Sequence, residues 1–416
     1  MKLFFYSIIF ILLHISIAAQ NLSIERIWKN YEFSAKGGSA YQMMNDGEQY
    51  VFISEEGGIL MNPISAQGNE QQKVLVPKEN LVWNGNPISI AGFELNASED
   101  KILLWTAPKA IYRRSFEAFY YLFDLKSKQL EALDTDHAPQ TLAEYSPDGK
   151  KVSFIHGNDL FIKDLSTGKV QKITTDGKRN KIINGTTDWV YEEEFAITKA
   201  YGWSPDSRYL AFLKFDEREV PEFQMALYGD LYPEQYKYKY PKAGEKNANV
   251  TLHLYSVSSK STDKIALGAY EYIPRIKWSN DADVLVANTL NRHQNNLKLH
   301  KVNAKNLTAS LLLSETDKAY IDVTDNLTFL NDNSFIWTSE KDGFNHIYHY
   351  NFKGKLINQV TKGNWEVTQY YGFNENKNTI YYQSVENGSI NRGIYSIDLD
   401  GKNNPHPVSV SNYING

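Results

Sequence analysis

The feature that most limits what this chain can become is a turn that keeps returning. Tyr145-Ser146-Pro147-Asp148-Gly149-Lys150-Lys151-Val152-Ser153-Phe154 is one copy, and Trp203-Ser204-Pro205-Asp206-Ser207-Arg208-Tyr209-Leu210-Ala211-Phe212 is another. Weaker copies begin at Asn45, Asn96, Trp278, Phe329 and Phe373, which makes seven. Pro presets φ at the first central position, Asp bonds its own backbone, and Gly accepts the left-handed position. Alternating apolar residues after each turn mark a strand with one buried face. Further strands follow, such as Asp159 to Leu165 and Gly393 to Leu399. Three or four short antiparallel strands per unit of roughly 45 to 60 residues is the pattern of a propeller blade. The predicted fold is therefore all-β, a β-propeller of seven to eight blades. A two-sheet sandwich would not repeat one turn this often. Val408-Ser409-Val410-Ser411 reads as the start of a further strand just before the chain stops at Gly416. The last blade is accordingly expected to be incomplete, leaving an open sheet edge.

One interval between copies is too long. Residues 216–249 hold Glu219-Val220-Pro221 and an alternation of Tyr and Lys from Tyr236 to Tyr240. The alternation predicts a two-sided, exposed hairpin or arm inserted into the propeller.

The N-terminus is Met1-Lys2, an apolar run from Leu3 to Ile17, then Ala18-Ala19-Gln20. One early positive charge, a short apolar core and small residues at its end describe a signal peptide over 1–19. The propeller is then expected over 20–416. No cysteine is present, so neither disulfides nor a lipidated N-terminal cysteine is available. Export without disulfides fits a bacterial envelope protein, periplasmic or secreted. The net charge of −5 and scattered Lys and Arg argue against a nucleic-acid partner.

Against this background one run stands out: Thr187-Asp188-Trp189-Val190-Tyr191-Glu192-Glu193-Glu194-Phe195. Three adjacent carboxylates repel one another and need a reason to be neighbours. One reading is a solvated helix start, with Asp188 as cap and the acids where the helix dipole favours negative charge. The other is a cation clamp, two carboxylates holding an ammonium group. Upstream lies Ile111-Tyr112-Arg113-Arg114-Ser115-Phe116. Its arginines suit either an ion pair or a planar oxygen acceptor.

Other chemistry is missing. Gly202-Trp203-Ser204 starts like a nucleophile elbow, but Pro205-Asp206 follows and the second glycine is absent. Ser204 occupies the place of Ser146 in another copy and reads as a turn residue. The nine His residues show no metal-ligand spacing, and His346 and His349 lie on opposite faces of a strand. No metal site and no cofactor are expected, since no phosphate-cradling glycine loop appears. No stretch alternates strands with amphipathic helices, so an α/β-hydrolase domain is not expected within the chain.

Thr187 to Glu194 resembles the glutamate motif in the propeller of the dipeptidyl peptidase IV family. These are serine exopeptidases of the prolyl oligopeptidase clan that release X-Pro or X-Ala dipeptides from N-termini. The resemblance extends to Tyr112-Arg113-Arg114-Ser115, Glu219-Val220-Pro221, Tyr240-Pro241-Lys242-Ala243-Gly244, Ser339 to His346 and Thr361 to Val367. It runs from about Leu22 to the last residue and is of the bacterial type. It implies that Glu193 and Glu194 bind the free amino terminus of a peptide substrate. It implies that Arg113 contacts the substrate's carbonyl side. Glu192, the first acid of the motif, is a further candidate ligand. Arg114 stands where other members often carry His, and its role is left open. The arm over 216–249 is implied to take part in a homodimer.

In that family the catalytic Ser, Asp and His belong to a C-terminal α/β-hydrolase domain. The chain is expected to carry the substrate-selecting part without the catalytic residues and to be inactive alone. A separately encoded α/β-hydrolase domain is then a candidate partner. The alternative is an exported, stand-alone propeller that binds peptides or acts as a scaffold, with no enzymatic role.

Overall fold

The computed structural model describes residues 22–34, 41–65, 72–403 and 405–409. The segment expected to be a signal peptide lies outside them. Residues 1–41 and 42–416 form separate compact units. The described part of the first holds one helical turn, Glu25–Lys29.

The second unit is a seven-bladed β-propeller, built from seven antiparallel sheets that follow one another along the chain. The first runs through Tyr41–Met43, Gln49–Ile53, Ile59–Pro63 and Lys73–Val76. The second comprises Ile90–Leu95, Lys101–Ala110, Phe116–Asp124 and Leu130–Ala132, and the third Thr141–Tyr145, Lys151–His156, Asp159–Asp164 and Val170–Lys172. The fourth has five strands, because Ile182–Asn184 and Tyr201–Trp203 both pair with Tyr209–Asp216. The fifth spans Tyr272–Thr316, the sixth Thr328–Gln359 and the seventh Val367–Ser409. The seventh sheet has four strands, since His406–Ser409 pairs with Gly393–Asp398. The segment around Val408 is thus the outer strand of this sheet.

Apolar residues collect between consecutive sheets. Val51, Ile59, Ile102 and Leu104 pack between the first and second. Ile155, Leu160, Trp203 and Phe212 pack between the third and fourth. The abundant aromatics also bond across these seams. The Trp203 indole N–H donates to Ser153 Oγ at 2.9 Å, and the Trp278 indole N–H to the Gly202 carbonyl at 2.9 Å.

The repeated turn has the same structure in its two clearest copies. The Ser146 hydroxyl donates to Asp148 at 2.6 Å and accepts the Lys151 N–H, while Gly149 takes φ +66°. The Ser204 hydroxyl donates to Asp206 at 2.8 Å and accepts the Tyr209 N–H at 2.9 Å. Ser204 is therefore a buried turn residue.

Five of these turns also meet the turn of the next sheet. Asn45 donates to the Ala97 carbonyl, Asp148 N–H to Ser207 Oγ, and Arg208 to Asp283. Asn280 donates to the Leu330 carbonyl, and Asn331 N–H to Glu375. In each of these joints the earlier turn is the donor.

Candidate functional site

The acidic run is a short helix, Trp189–Glu194, inserted between two strands of the fourth sheet. Asp188 caps it, accepting the Tyr191 N–H at 2.9 Å. Thr186 and Thr187 close the loop around it by donating to the Thr198 and Ile197 carbonyls, each at 3.0 Å. Tyr191 anchors the helix. It is buried among Phe195, Phe215 and Tyr272, and its hydroxyl accepts the Ile273 N–H at 2.8 Å.

Successive helical side chains diverge by about 100°, so three consecutive glutamates cannot all face one ligand. Here they divide. Glu192 turns inward and is 1% exposed. Its Oε1 accepts the N–H of Arg114 at 2.6 Å and of Ser115 at 2.9 Å, and its carbonyl accepts Arg114 Nη1 at 2.7 Å. Its Oε2 is buried with no hydrogen-bond partner. The carboxylate named as a further candidate ligand is therefore buried against the arginine segment.

Glu193 points outward and pairs with Arg113, whose Nε lies 3.0 Å from Glu193 Oε2 and 3.1 Å from Oε1. The Glu193 side chain is 16% exposed and that of Arg113 71%. Glu194 is exposed and makes no hydrogen bond or ion pair among the described residues. Arg113 thus balances Glu193, which leaves the charge of Glu194 without an ion-pair partner among the described residues. The structure brings Arg113 and Glu193 together although 80 residues separate them, and Glu194 follows on the same helix. Arg113 reaches the helix because residues 111–115 form the tip joining the two longest strands of the second sheet. The tip is closed by Ile111 N–H to the Ser115 carbonyl at 2.8 Å.

The inserted segment leaves and rejoins the fourth sheet at one rung, where Asp216 pairs with Asn249. Between them, Glu222–Leu227 and Glu234–Lys239 form a hairpin. It is not exposed on both faces as its alternation predicted. Tyr238 packs on Tyr112, Tyr240 on Trp189, and Arg179 lies over Tyr236. One hairpin face therefore rests on both elements that carry the candidate site. The turn at its far end exposes Tyr228, Leu231 and Tyr232.

Two buried acids beneath the helix had no sequence signal as a pair. Burial pushes the Asp188 carboxyl up to about 6. Burial and then the Asp188 charge push Glu217 up to about 7. A cavity of about 720 Å³ lies between the fifth, sixth and seventh sheets, lined by Asp317, Tyr320, Asp322, Glu340, Lys341 and Glu366 among others. Burial, Asp322 and then Glu194 raise the Tyr320 hydroxyl, so the cavity lies within the field of the glutamate helix. Burial and the charges of Asp322, Glu366 and Asp317 raise Glu340.

Among the described residues no group of three or more His, Cys, Asp or Glu is placed to hold a metal ion. His346 bonds to Thr361 and the Gly363 carbonyl, and His349 to Ser334. No helix among the described residues is long and apolar enough to cross a membrane.

Residues 96–415 match the family described as "Dipeptidyl peptidase IV (DPP IV) N-terminal region". Dipeptidyl peptidase 4 of Trichophyton tonsurans is 29% identical over 371 residues, covering 85% of this chain and 46% of that protein. Dipeptidyl peptidase 4 of Trichophyton rubrum is 29% identical over 373 residues, covering 85% and 47%. The crystal structure of Porphyromonas gingivalis dipeptidyl peptidase 4 is similar with a TM-score of 0.88 and 38% identity, over 94% of this chain and 56% of that one. The chain spans about half the length of the curated relatives it matches. On these matches the chain belongs to the dipeptidyl peptidase IV family and carries that family's N-terminal propeller region.

Proposed function

We propose that this chain is the substrate-selecting propeller of a dipeptidyl-peptidase-IV-like serine peptidase. In this reading Glu193 and Glu194 receive the free amino terminus of a peptide, and Arg113 holds a carbonyl oxygen of its first residues. The observation that carries it is the charge balance at the helix. Glu193 has one partner, Arg113, and Glu194 has none among the described residues. An exposed ion pair is worth at most about 1 kcal/mol, so an incoming ammonium shares Glu193 at small cost. A peptide without a free terminus must desolvate both carboxylates with nothing in return.

Cleavage is assigned to an α/β-hydrolase domain, because the described residues of the second unit form propeller sheets and the arm hairpin. The chain alone is then expected to hydrolyse nothing. The proposal also includes export to the bacterial envelope, on the strength of the apolar N-terminal run. It includes a homodimer through the arm, whose exposed Tyr228, Leu231 and Tyr232 offer an apolar surface.

The test is a binding titration of the purified chain with a Gly-Pro peptide, free or N-acetylated. Only the free peptide should bind, and exchanging Glu193 and Glu194 for Lys should abolish that preference. Equal binding of both peptides would refute the clamp. A Gly-Pro chromogenic substrate should show no turnover above buffer.

A further inference from the structure

Glu192 is buried, yet no apolar packing argument accounts for a carboxylate there. Its contacts all run to one place. The arginine tip, residues 111–115, has no regular structure of its own and projects from the end of a hairpin. Within the tip, Ile111 and Tyr112 bond to Ser115. Across to the helix, Glu192 takes the two main-chain N–H groups that follow Arg113, and its carbonyl takes the Arg114 guanidinium. Among the described residues, the one further hydrogen-bonded or ionic contact between helix and tip is the Arg113–Glu193 ion pair itself.

We infer that Glu192 is a positioning residue. It clasps the chain immediately after Arg113, and so sets the distance between the Arg113 guanidinium and Glu193 at which the two share a ligand. The inference rests on the clamp reading for its function, but its geometry stands without it. A lone exposed ion pair could not hold this spacing, because the side-chain entropy of Arg opposes it. A buried carboxylate accepting two main-chain N–H bonds can, since charge-assisted bonds are about twice as strong as neutral ones. Removing the acceptor leaves two donors buried or half-buried without partners. Glu193 and Glu194 then keep their places on the helix, while Arg113 is released. Arg114 acquires a role in the same device, as the reciprocal half of the clasp.

The experiment uses the full chain with 15N-labelled arginine. The Arg113 Nε–H signal reports its ion pair, and Glu193→Gln supplies the signal of the unpaired state. Glu192→Ala should give the unpaired signal. Glu192→Gln should keep the wild-type signal, because its amide oxygen still accepts both N–H bonds. Affinity for a Gly-Pro peptide should fall about tenfold in Glu192→Ala, and by no more than about twofold when the same change is made in Arg113→Ala, since coupled sites are not additive. An unchanged Arg113 signal in Glu192→Ala overturns the inference. So does an equal loss of affinity in both backgrounds, which marks a merely structural role. Should Glu192→Ala not fold, Glu192→Asp withdraws the carboxylate from both N–H groups, and an unchanged Arg113 signal in that variant is equally fatal. If wild type does not discriminate free from acetylated peptide, the clamp reading fails while the Arg113 signal still decides the positioning.

Discussion

Glu192 and Arg114 hold each other crosswise: the side chain of each bonds to the main chain of the other, at 2.6 and 2.7 Å. The crossing joins the second sheet to the fourth at the one point where their chemistry meets. It occupies the inward acid of the three and leaves Glu193 and Glu194 on the outer side of the helix.

The buried acids below the helix give a pH dependence of known sign. The ordinary carboxyl values are about 3.9 for Asp and 4.3 for Glu, and both are raised in the fold, Asp188 to about 6 and Glu217 to about 7. Between ordinary and raised values the folded state holds more protons than the unfolded one. The stability from these groups is therefore complete below about pH 4 and is lost as pH rises through 6 and 7. Lys239 and Arg179 oppose the rise at Glu217, and Asp216 adds to it. Asp188→Asn keeps a capping side chain and mimics the protonated form. Thermal unfolding should show it more stable than wild type at pH 7 by about 1 to 3 kcal/mol, with the gap closing towards pH 4. A gap that widens on acidification contradicts the assignment.

Trp203 bridges two sheets through its indole N–H and buries Ser153. Trp203→Phe keeps most of the ring but removes the bond it donates, leaving the Ser153 hydroxyl only its bond to the Glu144 carbonyl at 3.5 Å, a cost of about 1 kcal/mol. Denaturant titration should show a lower midpoint with unchanged slope. An unaltered midpoint means the seam is held by apolar packing alone.

The arm face should report on the site. Tyr240→Ala removes the ring against Trp189, whose centroids lie 4.5 Å apart. Hydrogen exchange over 222–239 and over 188–195 should rise together in this variant. Faster exchange in the hairpin only would show that the two are not coupled.

The cavity beside the helix is strongly acidic, with Lys341 turned away to the Tyr350 hydroxyl at 2.6 Å. On the proposed reading, a peptide whose ammonium meets Glu194 would direct its first side chain into this neighbourhood, since the Glu194 charge acts on Tyr320 in the cavity lining. A Lys-Pro peptide should therefore bind more tightly than a Glu-Pro peptide, with the difference shrinking as salt is added. No difference at low salt would place the first side chain elsewhere.

Much of the fold was legible because its turns are chemically distinctive. Ser146-Pro147-Asp148-Gly149 and Ser204-Pro205-Asp206-Ser207 announce a chain reversal, and the alternation after each announces a buried face. The candidate site was legible as a list of residues but not as an arrangement. Glu192, Glu193 and Glu194 are identical in type, and only the helix phase, fixed by Tyr191 in the core, separates the inward acid from the outward pair. The hairpin was legible as a hairpin, but alternation states that two faces exist, not what covers one of them. Glu217 carried no signal, since its burial comes from elements distant in sequence. Val408 was legible as part of a strand, but its pairing with Gly393–Asp398 was not, because a strand's partner is a property of the sheet.

The joints between successive turns have a direction: the earlier turn gives a hydrogen, and the later one receives it. Such a joint has a head and a tail, like a coupling between wagons. The fourth, fifth and sixth sheets each carry an acceptor on one side and a donor on the other, though the paired groups differ from joint to joint. Heredity can lengthen an array of this kind one unit at a time, and substitution can then specialise a single blade. The fourth sheet, which bears a helix and a hairpin that its neighbours lack, is what such specialisation looks like once the coupling is left alone.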